Sequence, residues 1–313
     1  MRTVPIPGTD LEVSRLSLGT NVFGWSIDEA ASHTVLDAYV AAGGNFLDCA
    51  DKYSSWIPGN SGGEAETILG TWLAGRPRDS VIVATKIGAK PDRLGLSADN
   101  VKLAVEESLT RLQTDYVDVL YAHEDDADTP IEETLTAFAA LIAEGKVRHI
   151  AASNFTAERL RESLAVSADL NVPRYVLLQT EYNLMARDQY ESELEAVCVS
   201  ENVGCVPYYG LAKGFLTGKY RPGTADEVQS PRAGFAKTYL DERGERVLAA
   251  LDQVADARSV PVASVALAWL AERPSVVVPT ASARTVEQLE ALLPAGDLVL
   301  AADEMATLNA ASA

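Results

Sequence analysis

The amino-acid sequence predicts an α/β fold: a (β/α)8 TIM barrel, formed by residues 1–313 as a single domain, with one long insertion after the seventh strand. Eight short apolar runs recur along the 313-residue chain, and segments of helical periodicity lie between them. The runs do not alternate with polar residues, which is typical of strands buried on both faces of a parallel sheet. The alternative, an open doubly wound sheet, is disfavoured because residues 19–24 lack the middle glycine of a Gly-x-Gly-x-x-Gly turn.

The predicted strands and helices alternate along the chain. Strands are predicted at 16–20, 45–49, 81–86, 117–123, 147–153, 176–180, 204–207 and 276–279. Helices are predicted at 28–42, 64–74, 99–112, 156–165, 189–201 and 245–258, with another that follows Thr129. Two helix starts carry capping signals, Ser26 with Glu29 and Thr129 with Glu132. The ends of strands seven and eight are much farther apart than the other strand ends, which places the insertion at 209–244.

Composition excludes several classes of partner. The chain has 26 Lys and Arg against 45 Asp and Glu, and its net charge of −19 argues against binding nucleic acid or an anionic membrane. Residues 1–10 lack an apolar core flanked by positive charge, so a signal peptide is not expected, nor is a membrane span, because no apolar stretch is long enough. The cysteines Cys49, Cys198 and Cys205 form no CxxC pair, so neither a disulfide framework nor a zinc site is expected. These features predict a cytoplasmic protein without a metal.

Four polar side chains close three neighbouring predicted strands. Asp48 ends the second strand and Tyr53 follows it, Lys86 ends the third strand, and His123 ends the fourth. The ends of barrel strands meet at one mouth, so we expect these groups to lie together. An ammonium lowers the pKa of a neighbouring phenol, a carboxylate holds the ammonium in place, and an imidazole can hydrogen-bond a substrate oxygen. The set predicts proton donation during carbonyl reduction, with the hydride supplied by another group.

The motifs around these residues resemble those of the aldo-keto reductases. Residues 48–53 resemble the family's Asp-Thr-Ala-x-x-Tyr, with Cys49 in place of Thr, residues 83–86 match its lysine strand, and residues 123–134 match its histidine motif. The resemblance extends from about residue 13 to residue 288. It implies a catalytic tetrad of Asp48, Tyr53, Lys86 and His123. It also implies reversible reduction of an aldehyde or ketone, with NADPH/NADP+ as the cofactor rather than NADH.

The resemblance further implies an extended dinucleotide site at the ends of the later strands. Ser153, Asn154 and Gln179 stand where the family holds the nicotinamide carboxamide, and Tyr208 stands where an aromatic ring stacks on the nicotinamide. Residues 210–220 resemble the pyrophosphate loop, in which glycines let backbone N–H groups approach phosphate oxygens. The cofactor residues implied in this loop are Gly210, Leu211, Lys213, Gly214, Leu216 and Lys219. The insertion 209–244 is expected to cover the cofactor.

A third cofactor segment follows the last strand. Ser282, Arg284 and Gln288 match the positions that bind the adenosine 2′-phosphate, and an arginine suits that group. Two departures from the family pattern occur here. Ser282 stands where many relatives carry Gly, and Ala291 and Leu292 stand where many carry the Glu-Asn pair that contacts adenine. The preference for NADP over NAD is therefore left open by this segment.

The substrate is expected to be a small-molecule carbonyl compound. Trp25, Trp56 and His123 are expected to line its pocket, since large aromatic side chains in polar loops commonly line apolar pockets. A helix is predicted at 303–309, shortly before the last residue, so a long C-terminal loop over the pocket is not expected. The identity of the substrate, the stereochemistry and the oligomeric state do not follow from the sequence.

Two other functions are consistent with the same fold. The first is a cofactor-binding regulatory subunit that resembles potassium-channel β subunits, which can keep the tetrad. The second is a metal-dependent lyase or isomerase, but the sequence has no His/Asp/Glu cluster with ligand spacing to support it. Turnover with carbonyl compounds would separate the first from a reductase, and loss of activity with a chelator would favour the second.

Overall fold

The N-terminal segment forms a hairpin that packs against one end of a barrel. The computed structural model describes residues 1–223, 225–228 and 230–313. Strands β1 (Thr3–Pro5) and β2 (Glu12–Ser14) pair in antiparallel fashion. Ile6 and Leu11 of the connection are buried in one cluster with Phe46, which begins the second barrel strand. The hairpin therefore covers the amino-terminal end of the barrel and leaves the other end for loops.

Eight parallel strands form the sheet, which confirms the predicted fold class. They are β3 (Ser17–Gly19), β4 (Phe46–Asp48), β5 (Ile82–Ile87), β8 (Val117–Ala122), β9 (Val147–Ser153), β10 (Tyr175–Gln179), β11 (Gly204–Cys205) and β12 (Thr280–Ala281). Their order in the sheet is β11-β10-β9-β8-β5-β4-β3-β12. A short antiparallel hairpin, β6 (Ala89–Lys90) with β7 (Arg93–Leu94), follows β5. Each barrel strand is almost entirely buried, as the uninterrupted apolar runs require.

The sheet closes into a barrel between β11 and the residues that precede β12. Cys205 and Val276 form a parallel bridge, and the Val277 amide donates to the Cys205 carbonyl at 2.9 Å. The eighth strand was predicted at 276–279, but its regular pairing with β3 begins at Thr280. The reason is that Val276 and Val277 pair with β11, whereas Thr280 and Ala281 pair with β3. The eighth strand therefore contacts its two neighbours through different, successive residues.

The helices surround the sheet. They are α1 (Glu29–Ala41), α2 (Glu64–Leu73), α3 (Ala98–Leu112), α4 (Ile131–Ala143), α5 (Ala157–Asp169), α6 (Glu195–Glu201), α7 (Ala233–Lys237), α8 (Glu242–Arg258), α9 (Val262–Ala271), α10 (Val286–Glu290) and α11 (Ala302–Ser312). The helix predicted at 189–201 is interrupted, because Tyr190–Leu194 forms a π-helical turn before α6. None of the described helices is by itself long and apolar enough to cross a membrane, and α8 and α9 reach that length only as a pair bent by 98°.

Both predicted capping residues are wrong. Asp28, not Ser26, caps α1: its carboxylate accepts from the Ala31 amide at 2.9 Å, while the Ser26 hydroxyl donates to the Val22 carbonyl. Pro130 is the residue that precedes α4, and the Thr129 hydroxyl donates to Asp126 instead. In each case a nearby carboxylate is the stronger acceptor. Asp28 caps α1 in place of Ser26, and Asp126 accepts the hydroxyl proton of Thr129.

The insertion 209–244 combines short helical turns with a packed base. Phe215, Leu216, Tyr220 and Ala236 are fully buried in the core that the helices and sheet share. Thr224 and Gln229, which belong to the predicted insertion, lie outside the described residues. The single-domain organisation and the role of the insertion as a cofactor cover stay predictions.

Candidate active site

The predicted tetrad residues meet at the carboxyl end of the barrel. Asp48 is the last residue of β4, Lys86 lies near the end of β5, and His123 directly follows β8. Tyr53 lies in the loop after β4. Because β4, β5 and β8 are adjacent parallel strands, their ends open onto the same mouth. The structure therefore brings together the four side chains that the sequence singled out.

Lys86 is the centre of this cluster. Its side chain is buried, and its ammonium donates to both carboxylate oxygens of Asp48 at 2.8 Å, to the Cys49 carbonyl at 2.7 Å and to the Tyr53 hydroxyl at 2.8 Å. The Tyr53 hydroxyl in turn donates to Asp48 at 3.1 Å. Charge-assisted bonds of this kind fix the positions of both partners. The phenol oxygen is thus held beside a positive charge.

Gln179 supports the carboxylate rather than standing free for a ligand. Its side-chain amide donates to Asp48 Oδ1 at 3.0 Å from the end of β10, across the barrel mouth. The sequence implied a contact between Gln179 and the nicotinamide carboxamide. The described geometry gives one N–H of the amide a partner in the tetrad, which leaves its second N–H and its oxygen for other partners.

The pKa of Tyr53 moves opposite to the expectation. Burial, followed by the negative charge of Asp48, raises the pKa of the Tyr53 phenol well above its usual value. The ammonium of Lys86 acts in the other direction, but burial and Asp48 outweigh it. The side chain accordingly stays a phenol at neutral pH, and it is a weaker acid than the sequence alone predicts.

His123 is neutral in this site. Burial and the positive charges of Lys86 and Lys52 lower the pKa of His123 well below its ordinary value. Its ring lies edge-on to that of Tyr53, with 6.2 Å between the ring centroids. Its Nδ1 atom is buried and has no hydrogen-bond partner in the described structure. A neutral imidazole has one N–H to donate, so His123 can bind a substrate oxygen without adding charge.

The residues implied for the nicotinamide lie beside the tetrad. Asn154 follows β9 with a left-handed backbone, φ 61°, and its amide donates to the His123 carbonyl at 3.0 Å. The same amide lies 3.2 Å from the Ser153 hydroxyl, and the Tyr208 hydroxyl donates to Asn154 Oδ1 at 2.9 Å. Ser153, Asn154 and Tyr208 therefore form one hydrogen-bonded group at the mouth.

The segment implied for pyrophosphate has an unusual backbone. Ala212, Lys213 and Gly214 have consecutive positive φ angles of 46°, 58° and 101°. Two of these amides are used within the loop itself, since the Ala212 amide donates to the Tyr209 carbonyl at 2.7 Å and the Gly214 amide to the Leu211 carbonyl at 2.8 Å. Other members of the set have structural roles: a side chain at Gly210 would meet Leu270, and the side chain of Leu216 is fully buried. The Leu216 amide donates to the Leu211 carbonyl at 3.1 Å, so this residue supports the loop.

Two of the implied phosphate-binding cations lie near each other. Burial, followed by the charge of Arg284, lowers the pKa of the Lys219 ammonium. Within the described residues, neither side chain has a carboxylate within 4.0 Å. Gln288 accepts from the Arg284 backbone amide at 3.0 Å, and Ser282 hydrogen-bonds Asn21 at 2.5 Å. Two neighbouring cations that lack acidic partners favour an anionic ligand.

The departure at Ala291 and Leu292 has a structural reason. Leu292 is 4% exposed and packs in the core, and the Ala291 carbonyl accepts from the Ser264 hydroxyl at 2.8 Å. This turn holds α9 rather than presenting polar groups to a ligand. The described structure therefore offers no substitute for the family's Glu-Asn pair at these two positions.

Aromatic rings line the outer part of the mouth. Trp56 is 47% exposed, with its centroid 6.4 Å from that of Tyr53 and 5.8 Å from that of Trp25. The Trp25 indole donates to the Asn21 carbonyl at 2.6 Å, which fixes its orientation. Trp25 and Trp56 thus extend an apolar surface outward from the proposed proton donor.

Asp51 is a buried carboxyl near the site that no sequence pattern singled out. Its position between Asp48 and Tyr53 was the one hint. Asp51 is 1% exposed, and neither of its side-chain oxygens has a hydrogen-bond partner. Burial and the nearby Glu66 raise the pKa of Asp51 to about 8. Its backbone amide donates to the Lys86 carbonyl at 3.0 Å, so it also ties the Tyr53 loop to β5.

Metal ligands do not cluster in the described part of the chain. Among residues 1–223, 225–228 and 230–313, no three His, Cys, Asp or Glu side chains are placed to hold one metal ion. All three cysteines are buried and free.

Comparison with known proteins agrees with this arrangement. The model of the Aldo/keto reductase family matches residues 15–313. The chain is 32% identical to Protein tas of Escherichia coli, with 97% of this chain and 96% of that protein covered. It is 32% identical to a probable voltage-gated potassium channel subunit beta of Arabidopsis thaliana, with 92% and 89% covered. It is 31% identical to norsolorinic acid reductase B of Aspergillus parasiticus, with 96% and 81% covered.

Proposed function

Because the chain belongs to the aldo/keto reductase family, we propose that it catalyses the reversible, NADPH-dependent reduction of an aldehyde or ketone to an alcohol. The family generally uses NAD(P)H, and relatives named as a reductase and an oxidoreductase support an oxidoreductase. One observation carries the finer proposal: the Tyr53 hydroxyl lies 2.8 Å from the Lys86 ammonium at the barrel mouth. That pair is an acid positioned for a substrate oxygen.

The residues beside the tetrad fit a dinucleotide. Lys219 and Arg284 lack carboxylate partners within the described structure, and the nearby segment 212–214 has three consecutive positive φ angles. These groups would hold the phosphates, while Asn154 and Tyr208 would border the nicotinamide. When bound, the reduced dinucleotide supplies the hydride. Preference for NADPH over NADH is assigned to Arg284, because a guanidinium pairs well with a phosphate.

The tetrad handles the proton. The Tyr53 phenol is protonated at neutral pH, since the ordinary pKa of a tyrosine is about 10 and burial raises it further. As negative charge develops on the substrate oxygen, Tyr53 donates that proton, and the ammonium of Lys86 stabilises the phenolate that remains. Asp48 and Gln179 hold Lys86 in place. The neutral imidazole of His123 donates a hydrogen bond that orients the carbonyl and stabilises its developing charge.

The test is consumption of NADPH with a panel of aldehydes and ketones. We expect Tyr53→Phe to lower turnover by about 10²- to 10⁴-fold while the affinity for NADPH, measured by fluorescence titration, stays within about threefold. The matched control is Tyr116→Phe, since Tyr116 directly precedes β8 at the opposite end of the barrel. Full activity of Tyr53→Phe would refute the role of Tyr53 as the acid.

A second candidate rests on the relatives named as probable channel β subunits. In that case the chain would bind the dinucleotide as a regulatory ligand and would reduce carbonyl compounds slowly or not at all. NADPH binding without turnover across the whole panel would favour it. Turnover in solution at rates typical of enzymes would favour the reductase.

A further inference from the structure

Tyr121 lies inside the barrel, beneath the tetrad. It pairs in register with Lys86 across the parallel strands β8 and β5, so the two side chains point to the same side of the sheet. His123 follows two residues later and faces that side nearer the mouth. The side chain of Tyr121 is fully buried, in one apolar cluster with Phe46 and Ala84. It therefore occupies the layer directly under the proposed acid.

The ring of Tyr121 faces the ammonium of Lys86. The Lys86 Nζ atom lies 5.6 Å from the centroid of the Tyr121 ring and 4.7 Å from that of the Tyr53 ring. An aromatic face attracts a cation, and the attraction is stronger where water is excluded, as it is around the buried Lys86 and Tyr121. Two aromatic rings thus border the ammonium, and one of them belongs to the proposed acid.

The hydroxyl of Tyr121 makes no contact that would explain the residue. Its oxygen is buried and has no hydrogen-bond partner among the described residues. The nearby amide of Gln179 donates to Asp48 instead. A buried hydroxyl without a partner costs stability rather than adding to it. What Tyr121 contributes to the site is therefore its ring.

The position of the ammonium decides whether Tyr53 is held beside a positive charge. One nitrogen atom of Lys86 reaches Asp48, the Cys49 carbonyl and the Tyr53 hydroxyl, each at 2.7–2.8 Å. Lysine carries this nitrogen on a flexible four-carbon chain, which has many rotamers when space is available beside it. Packing against the chain is what keeps the nitrogen at one point.

We propose that Tyr121 is a positioning residue of the reduction: its ring fills the space beside the Lys86 ammonium and holds that charge at the hydroxyl of Tyr53. This inference rests on the proposed reductase function and deepens it. Because Tyr121 is fully buried beneath the mouth, it acts through Lys86 and not by touching the substrate.

Three variants separate the ring, the hydroxyl and the general loss of core volume. Tyr121→Leu removes the ring, and Tyr121→Phe keeps the ring and removes the hydroxyl alone. Val119→Ala is the matched control. Val119 lies two residues earlier on β8, faces the same side, belongs to the same apolar cluster and is in register with Ala84 rather than with Lys86. Steady-state kinetics with NADPH and 4-nitrobenzaldehyde compare them.

We expect Tyr121→Leu to lower kcat by about 10- to 100-fold, while KM for the aldehyde and the affinity for NADPH change by less than about threefold. Tyr121→Phe should keep at least about half of the turnover, and Val119→Ala should resemble the wild type. Turnover of Tyr121→Leu close to that of the wild type would overturn the proposal. An equal loss in Tyr121→Phe would overturn it too, since the hydroxyl would then be the acting group.

A double-mutant cycle tests whether the effect passes through Lys86. In a protein that already carries Lys86→Met, Tyr121→Leu should lower kcat by less than about twofold further, because no ammonium is left to position. A further loss as large as in the wild type would show that Tyr121 acts by another route and would overturn the proposal.

Failure of the reductase function itself would look different. If the wild type does not reduce the aldehyde, the same contact is measured by urea unfolding, with Asp48→Asn/Lys86→Met as the second background. Tyr121→Leu should lower the urea midpoint less in that background than in the wild type, because the charge that the ring attracts is gone. Val119→Ala should shift both midpoints equally. Equal shifts for Tyr121→Leu as well would overturn the contact between the ring and the ammonium.

Discussion

The ammonium of Lys86 lies 2.8 Å from each carboxylate oxygen of Asp48, and both side chains are almost completely buried. Removing two charges from water is costly, and only close contacts and further hydrogen bonds compensate for it. Here Cys49, Tyr53 and Gln179 supply those bonds. Tyr53 is therefore positioned by the Asp48–Lys86 ion pair, in which each buried charge is stabilised by the other.

Replacing Lys86 with Met should harm both folding and activity. Asp48 would be left as a buried charge without a cation, so the free energy of unfolding should fall by about 3–5 kcal/mol. Turnover should fall by about 10²-fold or more because Tyr53 loses the charge beside it. The double variant Asp48→Asn/Lys86→Met is the control. Urea denaturation should show that it regains much of the stability, whereas its turnover should stay low. A single variant as stable as the wild type would contradict the account of the pair.

Arg284→Gln should separate the two dinucleotides. We expect the affinity for NADPH to fall about tenfold or more and the affinity for NADH to change by less than about threefold, because only NADPH carries the 2′-phosphate. Fluorescence titration at several salt concentrations measures both, and salt should weaken NADPH binding less in the variant than in the wild type. Arg246→Gln serves as the control for net charge. Equal losses for both dinucleotides would place Arg284 at another part of the cofactor.

Asp51 should make stability depend on pH. Its pKa is raised from 3.8 to about 8, so between these values the folded protein keeps a proton that the unfolded chain has released. The free energy of unfolding should therefore fall as pH rises from about 4 to 8, by a total on the order of 5 kcal/mol for this group. Asp51→Asn should lack that contribution. Thermal unfolding at pH 5, 7 and 9 measures the difference, and parallel curves for the two proteins would refute the assignment.

Two glycines of the insertion and its base offer a matched stability test. A Cβ atom at Gly244 would lie 1.8 Å from the Tyr239 carbonyl oxygen, whereas one at Gly234 would meet no atom within 4 Å. We expect Gly244→Ala to lower the free energy of unfolding by about 1–3 kcal/mol or more, because backbone must move. Gly234→Ala lies in α7 and should leave stability unchanged or raise it by up to about 1 kcal/mol. Denaturant titration compares the two variants. Equal stabilities would contradict the expectation and show that the backbone at the start of α8 shifts at little cost.

The barrel and the tetrad were predictable because both depend on patterns within short stretches. Runs such as 147–153 lack the strict alternation of apolar and polar residues that a half-exposed strand shows, and β9 has these same bounds. The residue at the end of such a strand must lie at the mouth, so Asp48 and Lys86 could be placed together without any knowledge of their contacts.

Properties that depend on all the neighbours of a residue in three dimensions, such as its burial and its pKa, could not be predicted from the sequence. The pKa of Tyr53 rises because burial and Asp48 outweigh Lys86, and burial cannot be counted along the chain. Helix α9 escaped prediction because nearly all its residues are buried and it lacks an amphipathic period. Arg232 joins the mouth only because the insertion folds back onto Trp25, across about two hundred residues of sequence.

The closing contact of the barrel is also its shortest. Beyond the bridge between Cys205 and Val276, the junction depends on a few backbone bonds, and the segments proposed for the cofactor emerge on its two sides, at 210–219 and 282–288. A dinucleotide that contacts both segments would bridge the barrel at the junction that has few backbone hydrogen bonds of its own. A ligand that binds only the folded protein stabilises it, so the reduced cofactor should also protect this junction from unfolding.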